Sequence, residues 1–383
     1  MSSAMFAFAD DLADTAELAR IAGYGCDGVA VAAAYHQARD VTPHGRTKVT
    51  LRRDGLYFPV PEGLFGSLVP PVAREGSLDA IRAGCAERGL SLSGWTVFLH
   101  STTLGLAHPE LTQRNCFGEH VAPADLCPAN PEVRTYAANL ARAVARTGVS
   151  SIFAESLHFG AFGHGYHHER SFVELGPLAD FLLGLCFCAS CDPPAAAVEQ
   201  ARTVVEQAFA GEPLRHELTR EALAEHVGPE LAAFVAGRPD RVTELVGEVA
   251  KALAEEGCGL TYLDITGALK GYGDGRPSGA LTERDSWRLG IDAAAISQLV
   301  TSYGMLAYTI DEARITADVR AYRDAIGDRE LRVVMRPGLP DTRDAGHLAA
   351  KVRAARQAGA DAVDFYNYGM TPLSVLDRIP GAL

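Results

Sequence analysis

The sequence lacks the runs that would place it on a nucleic acid or in a membrane. No Lys/Arg-rich stretch appears, and acidic residues outnumber basic ones 48 to 35, for a formal charge of −13. Neutralising phosphates takes clustered cations, so no nucleic-acid partner is expected. No window approaches the roughly 18 uninterrupted apolar residues that a membrane span needs. The N-terminus, MSSAMFAFADDLADTAELAR, has no cationic region, and Asp10 and Asp11 break its short apolar run. It does not read as a secretory signal. Several catalytic signatures are missing too. No G-x-G-x-x-G follows the first strand, which disfavours an open dinucleotide-binding sheet. The segment KGYGDGRPSG (Lys270–Gly279) lacks the Walker G-K-[ST] ending and reads as a flexible rim loop or lid. The order HHER is not the H-E-x-x-H of a metalloprotease. Eight cysteines in 383 residues, three of them in one C-x-C-x-x-C group, do not form a disulfide framework. They point to a reducing cytoplasm with thiolates available for metal.

What the chain does have is a repeated unit of short apolar strand, turn and amphipathic helix, counted eight times. The strands are expected at Met5–Ala9, Gly28–Ala34, Leu92–Leu99, Ser151–Ala154, Gly259–Asp264, Met305–Ile310, Leu331–Met335 and Ala362–Phe365. Eight β-α units without consecutive strands imply a parallel sheet closed as a (β/α)8 barrel, the TIM-barrel architecture. At 48% hydrophobic and 22% charged, the composition supplies a sizeable core. Residues 1–383 are read as a single barrel with long loops after strands 2, 3 and 4. The longest is an insertion over 156–240 that carries the cysteine group.

The organising stretch is Ser150–His158, where an apolar strand delivers Glu155 to its C-terminal end beside a His-rich loop, HGYHHER (His164–Arg170). Barrel enzymes build their active sites at that face. Apolar surroundings would raise the pKa of Glu155 into the range of a general acid. Asp264 and Asp311, also placed at strand ends, are the candidates for a second carboxylate, whereas Asp364, which precedes Phe365, is the strand-end carboxylate expected to point behind its strand. His36, His100 and His158 at strand ends, with His164, His167 and His168 in the loop, could bind sugar hydroxyls, or three of them a catalytic metal. Trp95, Tyr366 and Asn367 are further substrate contacts, the rings suiting a pyranose face. Arg336 leaves room for an anionic group.

Cys186, Cys188 and Cys191 provide three soft ligands within six residues, and a tetrahedral zinc needs a fourth. Cys127 is favoured for that place, with Cys116 and a histidine of HGYHHER as alternatives. Four thiolates would close the site to water, making its role structural.

CPANPEVRTYA (Cys127–Ala137), a strand ending in Glu155, and CFCASC (Cys186–Cys191) together resemble the zinc-containing β-galactosidases of glycoside hydrolase family 42. The similarity covers about residues 95–195. It implies a structural Zn²⁺ on Cys127, Cys186, Cys188 and Cys191, and Glu155 as the acid/base glutamate. The chain departs from that family twice. Ala154 stands where the family has Asn, and strand seven ends in VVMRPG, with Arg336 where the nucleophilic glutamate would be. The resemblance is therefore to a distant relative within the superfamily.

The expected function is hydrolysis of a glycosidic bond in a small carbohydrate or glycoconjugate by carboxylate acid/base catalysis, in the cytoplasm. The alternatives are a sugar-directed isomerase, epimerase or lyase on the same barrel, or a non-catalytic carbohydrate-binding relative. The partner is a small sugar-like substrate, and a homo-oligomer is left open.

Overall fold

A computed structural model describes residues 2–60, 62–74, 76, 78–163 and 170–383. Eight parallel strands close on themselves: β1 (Ala4–Ala7), β2 (Gly28–Tyr35), β3 (Ser91–Val97), β4 (Ser151–Glu155), β5 (Gly259–Asp264), β6 (Ser302–Leu306), β7 (Glu330–Met335) and β8 (Ala362–Phe365). β1 pairs with β2 through Met5 and Val29 and with β8 through Met5 and Phe365, which shuts the ring. The chain is a (β/α)8 barrel.

The helices that clothe it are α1 (Thr15–Gly23), α2 (Asp79–Glu87), α3 (Pro131–Ala145), α4 (Arg238–Glu255), α5 (Ala293–Ser297), α6 (Glu312–Ile326), α7 (Ala345–Ala358) and α8 (Leu373–Leu376). Their starts follow local chemistry. Asp14 caps α1 by accepting from Ala16 N, and Asn130 caps α3 from Glu132 N and Val133 N ahead of Pro131. α3 lies on α4 through a seam that includes Val133, Leu140, Leu245 and Val249, all fully buried. Burying each such side chain contributes about 1.5–3 kcal/mol. Arg134, Arg142 and Arg146 pair with glutamates of α4 and its end along the same seam, but these pairs are largely solvent-exposed and add little by comparison. Gly94 sets the spacing of helix on sheet, since a Cβ there would come within 2.6 Å of Val144 Cγ1.

The barrel interior is aromatic at its C-terminal half. Phe6, Phe8, Tyr35, Trp95 and Phe153 meet at ring-centroid distances of 4.6–5.4 Å, mostly edge to face. The excursion after β2 contains a hairpin, Ala38–Val41 against Val49–Arg52, and a short strand, Gly55–Leu56, that adds antiparallel to β2. Between β4 and α4, helices Gly176–Gly184, Ala195–Phe209, Arg220–His226 and Pro229–Ala236 pack into an apolar cluster of their own, around Leu182, Val205 and Leu231. None of the described helices is long and apolar enough to cross a membrane.

Strand ends differ from expectation where it matters. β6 ends at Leu306, so Asp311 is five residues beyond the sheet and serves as the N-cap of α6. The Gly-rich 270–279 segment, expected to be a flexible lid, is anchored. Arg336 donates to Gly271 O and Tyr272 O, and Arg314 to Pro277 O, Gly279 O and Ala280 O.

Candidate functional site

Side chains alternate along a strand, so Glu155 shares the face of Phe153, and Phe153 packs inside the barrel on Phe6 at 5.2 Å. Glu155 therefore points into the barrel mouth. Its Oε2 accepts a hydrogen bond from Trp95 Nε1 at 2.6 Å. Burial pushes its carboxyl above the ordinary glutamate value, while the Trp95 indole and the charge on His100 pull partly the other way. The chain turns at once after it: Ser156 has a φ of 56°, a left-handed conformation that costs a side-chain-bearing residue energy and recurs at functional sites. Phe98 N donates to Glu155 O at 2.9 Å and continues the β3–β4 ladder to this point.

Glu155 faces a cavity of about 240 Å³ walled by His36, His100, Gln113, Asp125 and His158, with Tyr272 at its rim. His100 Nδ1 is 2.8 Å from Asp125 Oδ1, which fixes the ring and turns Nε2 away from the carboxylate. Burial disfavours the imidazolium, but Asp125, with Asp54 and Glu155 behind it, outweighs burial and raises the pKa of His100. The His36 ring stacks on Tyr35 at 4.2 Å and stands edge-on to His100 at 5.3 Å. His158 Nδ1 is 2.7 Å from Phe159 O. Four residues (Gly160, Ala161, Leu269 and Leu289) also border a second cavity of about 520 Å³ lined by Phe162, Leu175, Phe181 and Leu218.

The remaining expected site residues go elsewhere. Asp264 is 0% exposed, and its oxygens accept from Thr266 N, Tyr303 OH and Tyr322 OH at 2.8–3.0 Å. Tyr322 belongs to α6, so Asp264 faces the helix layer and cannot serve as the second carboxylate. Asp311 is exposed and spends Oδ1 on Ala313 N at 2.9 Å. Asp364 is enclosed by Arg332 and Ala4 N. Arg336 forks onto Asp341 with two bonds of 2.7 Å and lies over Tyr308 at 4.2 Å, so it is committed within the protein and not offered to an anion. Trp95 is 1% exposed, a donor to Glu155 and not a stacking platform. Tyr366, after β8, sits edge-on to Trp95 at 5.5 Å with its hydroxyl 3.3 Å from Tyr35 OH, and a cis peptide bond joins it to Asn367. Asn367 is buried and accepts from Gly369 N. His164, His167 and His168 lie outside the described residues.

Gln113 and Asp125, both in the excursion after β3, were not singled out from the sequence. They sit in irregular backbone with no periodicity to mark them. The only hint was that Asp125 comes two residues before Cys127.

The sulfurs of Cys127, Cys186, Cys188 and Cys191 gather within 4.8 Å of one another. Cys127 lies 3.5 Å from Cys191, 3.5 Å from Cys188 and 3.8 Å from Cys186. A tetrahedron of sulfurs about 2.3 Å from a central ion has edges of about 3.8 Å, so the four fit a thiophilic metal. Cys116 is not among them; it packs in the helical cluster, where burial raises its thiol to about 11. Beside the sulfurs, Arg238 is 3% exposed, with its guanidinium 4.3 Å from the Phe159 ring and Nη1 donating to Arg288 O at 2.9 Å. Its Nε and Nη2 are buried without a hydrogen-bond partner among the described residues. Burial lowers its pKa to about 10, and Cys191, Cys186 and Cys127 oppose that fall.

Neither a protein-family model nor a curated protein sequence matches the chain. Solved structures do resemble it. The α-L-fucosidase isoenzyme 2 from Paenibacillus thiaminolyticus aligns with 100% of this chain and 49% of its own, at a TM-score of 0.55 and 11% identity. The β-galactosidase from Rahnella sp. R3 aligns with 95% of this chain and 50% of its own, at a TM-score of 0.51 and 10% identity. The chain thus spans about half the length of these two enzymes. At such identity the similarity is one of fold: the chain shares the (β/α)8 barrel of these glycosidases.

Proposed function

We propose that the protein hydrolyses a glycosidic bond of a small carbohydrate or glycoconjugate, with Glu155 as the general acid. The observation that carries this reading is a carboxyl group at the end of β4, raised in pKa by burial, held by Trp95, and open to a polar cavity. Hydrolysis of this kind needs a second group on the far side of the anomeric carbon. Asp264 and Asp311 do not reach the cavity, and β7 ends in Arg336. The second role falls to His100 held by Asp125. Glu155 gives its proton to the glycosidic oxygen as the bond to the anomeric carbon breaks. Water adds to that carbon, and His100 Nε2 takes the water proton. The wall of imidazoles and a carboxamide suits hydroxyl-rich ligands.

Cys127, Cys186, Cys188 and Cys191 hold a structural Zn²⁺ in this reading. Four thiolates leave no open position, so the ion supplies stability and no reaction step.

A second reading has a specific observation behind it. A histidine backed by a carboxylate, with no other free carboxylate at a strand end among the described residues, is also a base for removing a carbon-bound proton. That chemistry would make the protein a sugar isomerase or epimerase. Turnover of a panel of aryl glycosides decides. Hydrolysis that falls at least ~10²-fold in Glu155→Gln supports the glycosidase reading. Deuterium uptake from solvent into a free sugar, without bond cleavage, supports the other.

A further inference from the structure

Gln113 is the least satisfied polar side chain in the cavity. It is 1% exposed, and neither Nε2 nor Oε1 has a hydrogen-bond partner among the described residues. Asp125 Oδ2, in the same wall, is buried and likewise has no partner among the described residues, because the carboxylate spends only Oδ1 on His100. Buried polar groups in folded proteins are almost always paired, so two adjacent exceptions in one cavity call for a ligand. Neither residue is free to turn away. Gln113 N donates to Asp125 O at 2.9 Å, Val121 N donates to Gln113 O at 3.1 Å, and Leu126 N donates to Leu99 O at 2.9 Å. The loop backbone is thus laced to itself and to the end of β3. Gly160 closes the far side, where a Cβ would run into the Asp125 carboxylate.

We propose that Gln113 and Asp125 form a clamp that reads two adjacent ring hydroxyls of the bound sugar, making the substrate a glycoside with an unsubstituted vicinal diol. This deepens the carbohydrate-directed reading of the Glu155 cavity and rests on it. A carboxamide presents an NH2 donor and a carbonyl acceptor side by side. One hydroxyl donates to Gln113 Oε1. Its neighbour accepts from Nε2 and donates its own proton to Asp125 Oδ2. Every unpaired atom of the pair is then satisfied. A sugar lacking either hydroxyl leaves buried groups unpaired, the situation in which polar sites discriminate most strongly.

The test uses the full chain labelled with ¹⁵N, titrated with methyl glycosides of galactose, glucose, fucose and xylose and with their monodeoxy counterparts. The side-chain amide signal of Gln113, assigned by its loss in Gln113→Met, shifts with at least one parent glycoside. It fails to shift with the analogue missing one of two neighbouring hydroxyls. In turnover, the parent enzyme rejects that deoxy aryl glycoside by at least ~10²-fold in kcat/KM, and Gln113→Met narrows the gap to within ~10-fold. Gln113→Glu, which keeps the acceptor and loses the donor, falls between. No shift with any of these sugars overturns the clamp, and so does a preference for acetamido over hydroxyl sugars with no penalty for deoxy analogues. Glu155→Gln separates the two claims. If that change leaves turnover intact while the Gln113 signal still reports sugar, the hydrolase assignment fails and the clamp stands.

Discussion

The indole Nε1 of Trp95 donates to Oε2 of Glu155 at 2.6 Å across the β3–β4 pair. The bond favours the ionised carboxylate, and burial favours the neutral acid; the net direction for Glu155 is upward. Trp95→Phe keeps the ring in its aromatic nest and removes only the donor. Glu155 then titrates higher still. The limb of the pH–rate profile that Glu155 sets moves up by roughly one to two pH units, the equivalent of one hydrogen bond to a charged group. An unmoved limb would show that another group sets it.

His100 gains protonation in the fold. Burial opposes the imidazolium, but Asp125 overrides it, so the folded pKa exceeds the unfolded one. A group raised in this way adds stability that is fully present below its unfolded pKa of about 6.5 and is lost as pH rises through the folded value. Asp125→Asn removes the source. Its deficit in Tm relative to the parent is largest near pH 6 (about half a unit below the unfolded value) and narrows as the solution is made alkaline. Thermal unfolding across that range checks the sign; a deficit that grows with pH refutes it.

Asp264 gives a control for position. Its three hydrogen bonds are all internal. Asp264→Asn costs on the order of 1–3 kcal/mol of stability because its amide nitrogen replaces either the oxygen that accepts both tyrosine hydroxyls or the one that accepts Thr266 N. kcat at a temperature well below Tm stays within a few-fold of the parent (under about 1 kcal/mol in barrier). A loss of kcat as deep as that of Glu155→Gln would return Asp264 to the catalytic list.

One zinc per chain is expected by elemental analysis of protein purified without chelator. Cys188→Ala lowers that stoichiometry and destabilises the insertion, since structural zinc at four thiolates contributes folding free energy directly, about 10–16 kcal/mol in isolated peptides. Helical signal and Tm fall together. A zinc-free parent with unchanged Tm would identify the four cysteines as a buried thiol cluster.

The barrel was legible because its signal is repetitive. Each apolar strand and each capped helix repeats the same local physics, and Asp14, Pro131 and Glu155 could be placed from residue type alone. The cysteine group was legible because the spacing of three ligands is itself a geometric constraint, and Cys127 opened a helix on the same face. Side-chain direction was not. Glu155 and Asp264 both end apolar strands, yet one follows Phe153 into the barrel and the other follows Tyr262 toward Tyr303 and the helix layer. A shift of one residue in a period of two separates these outcomes. Asp311 was misplaced because the end of its strand was drawn four residues too late. Gln113 and Asp125 lie in irregular backbone, where tertiary pairing alone decides what faces the cavity.

Arg238 links the sulfur site to the wall of the Glu155 cavity. Its cation lies over Phe159, one residue from His158 and one from Gly160, and the cysteine sulfurs oppose the fall in its pKa that burial brings. A divalent ion among four thiolates leaves a residual double negative charge, which an enclosed guanidinium partly balances. Emptying the metal site would therefore be felt some distance off. The wall of the Glu155 cavity would lose the charges that balance its buried guanidinium before the barrel itself came apart.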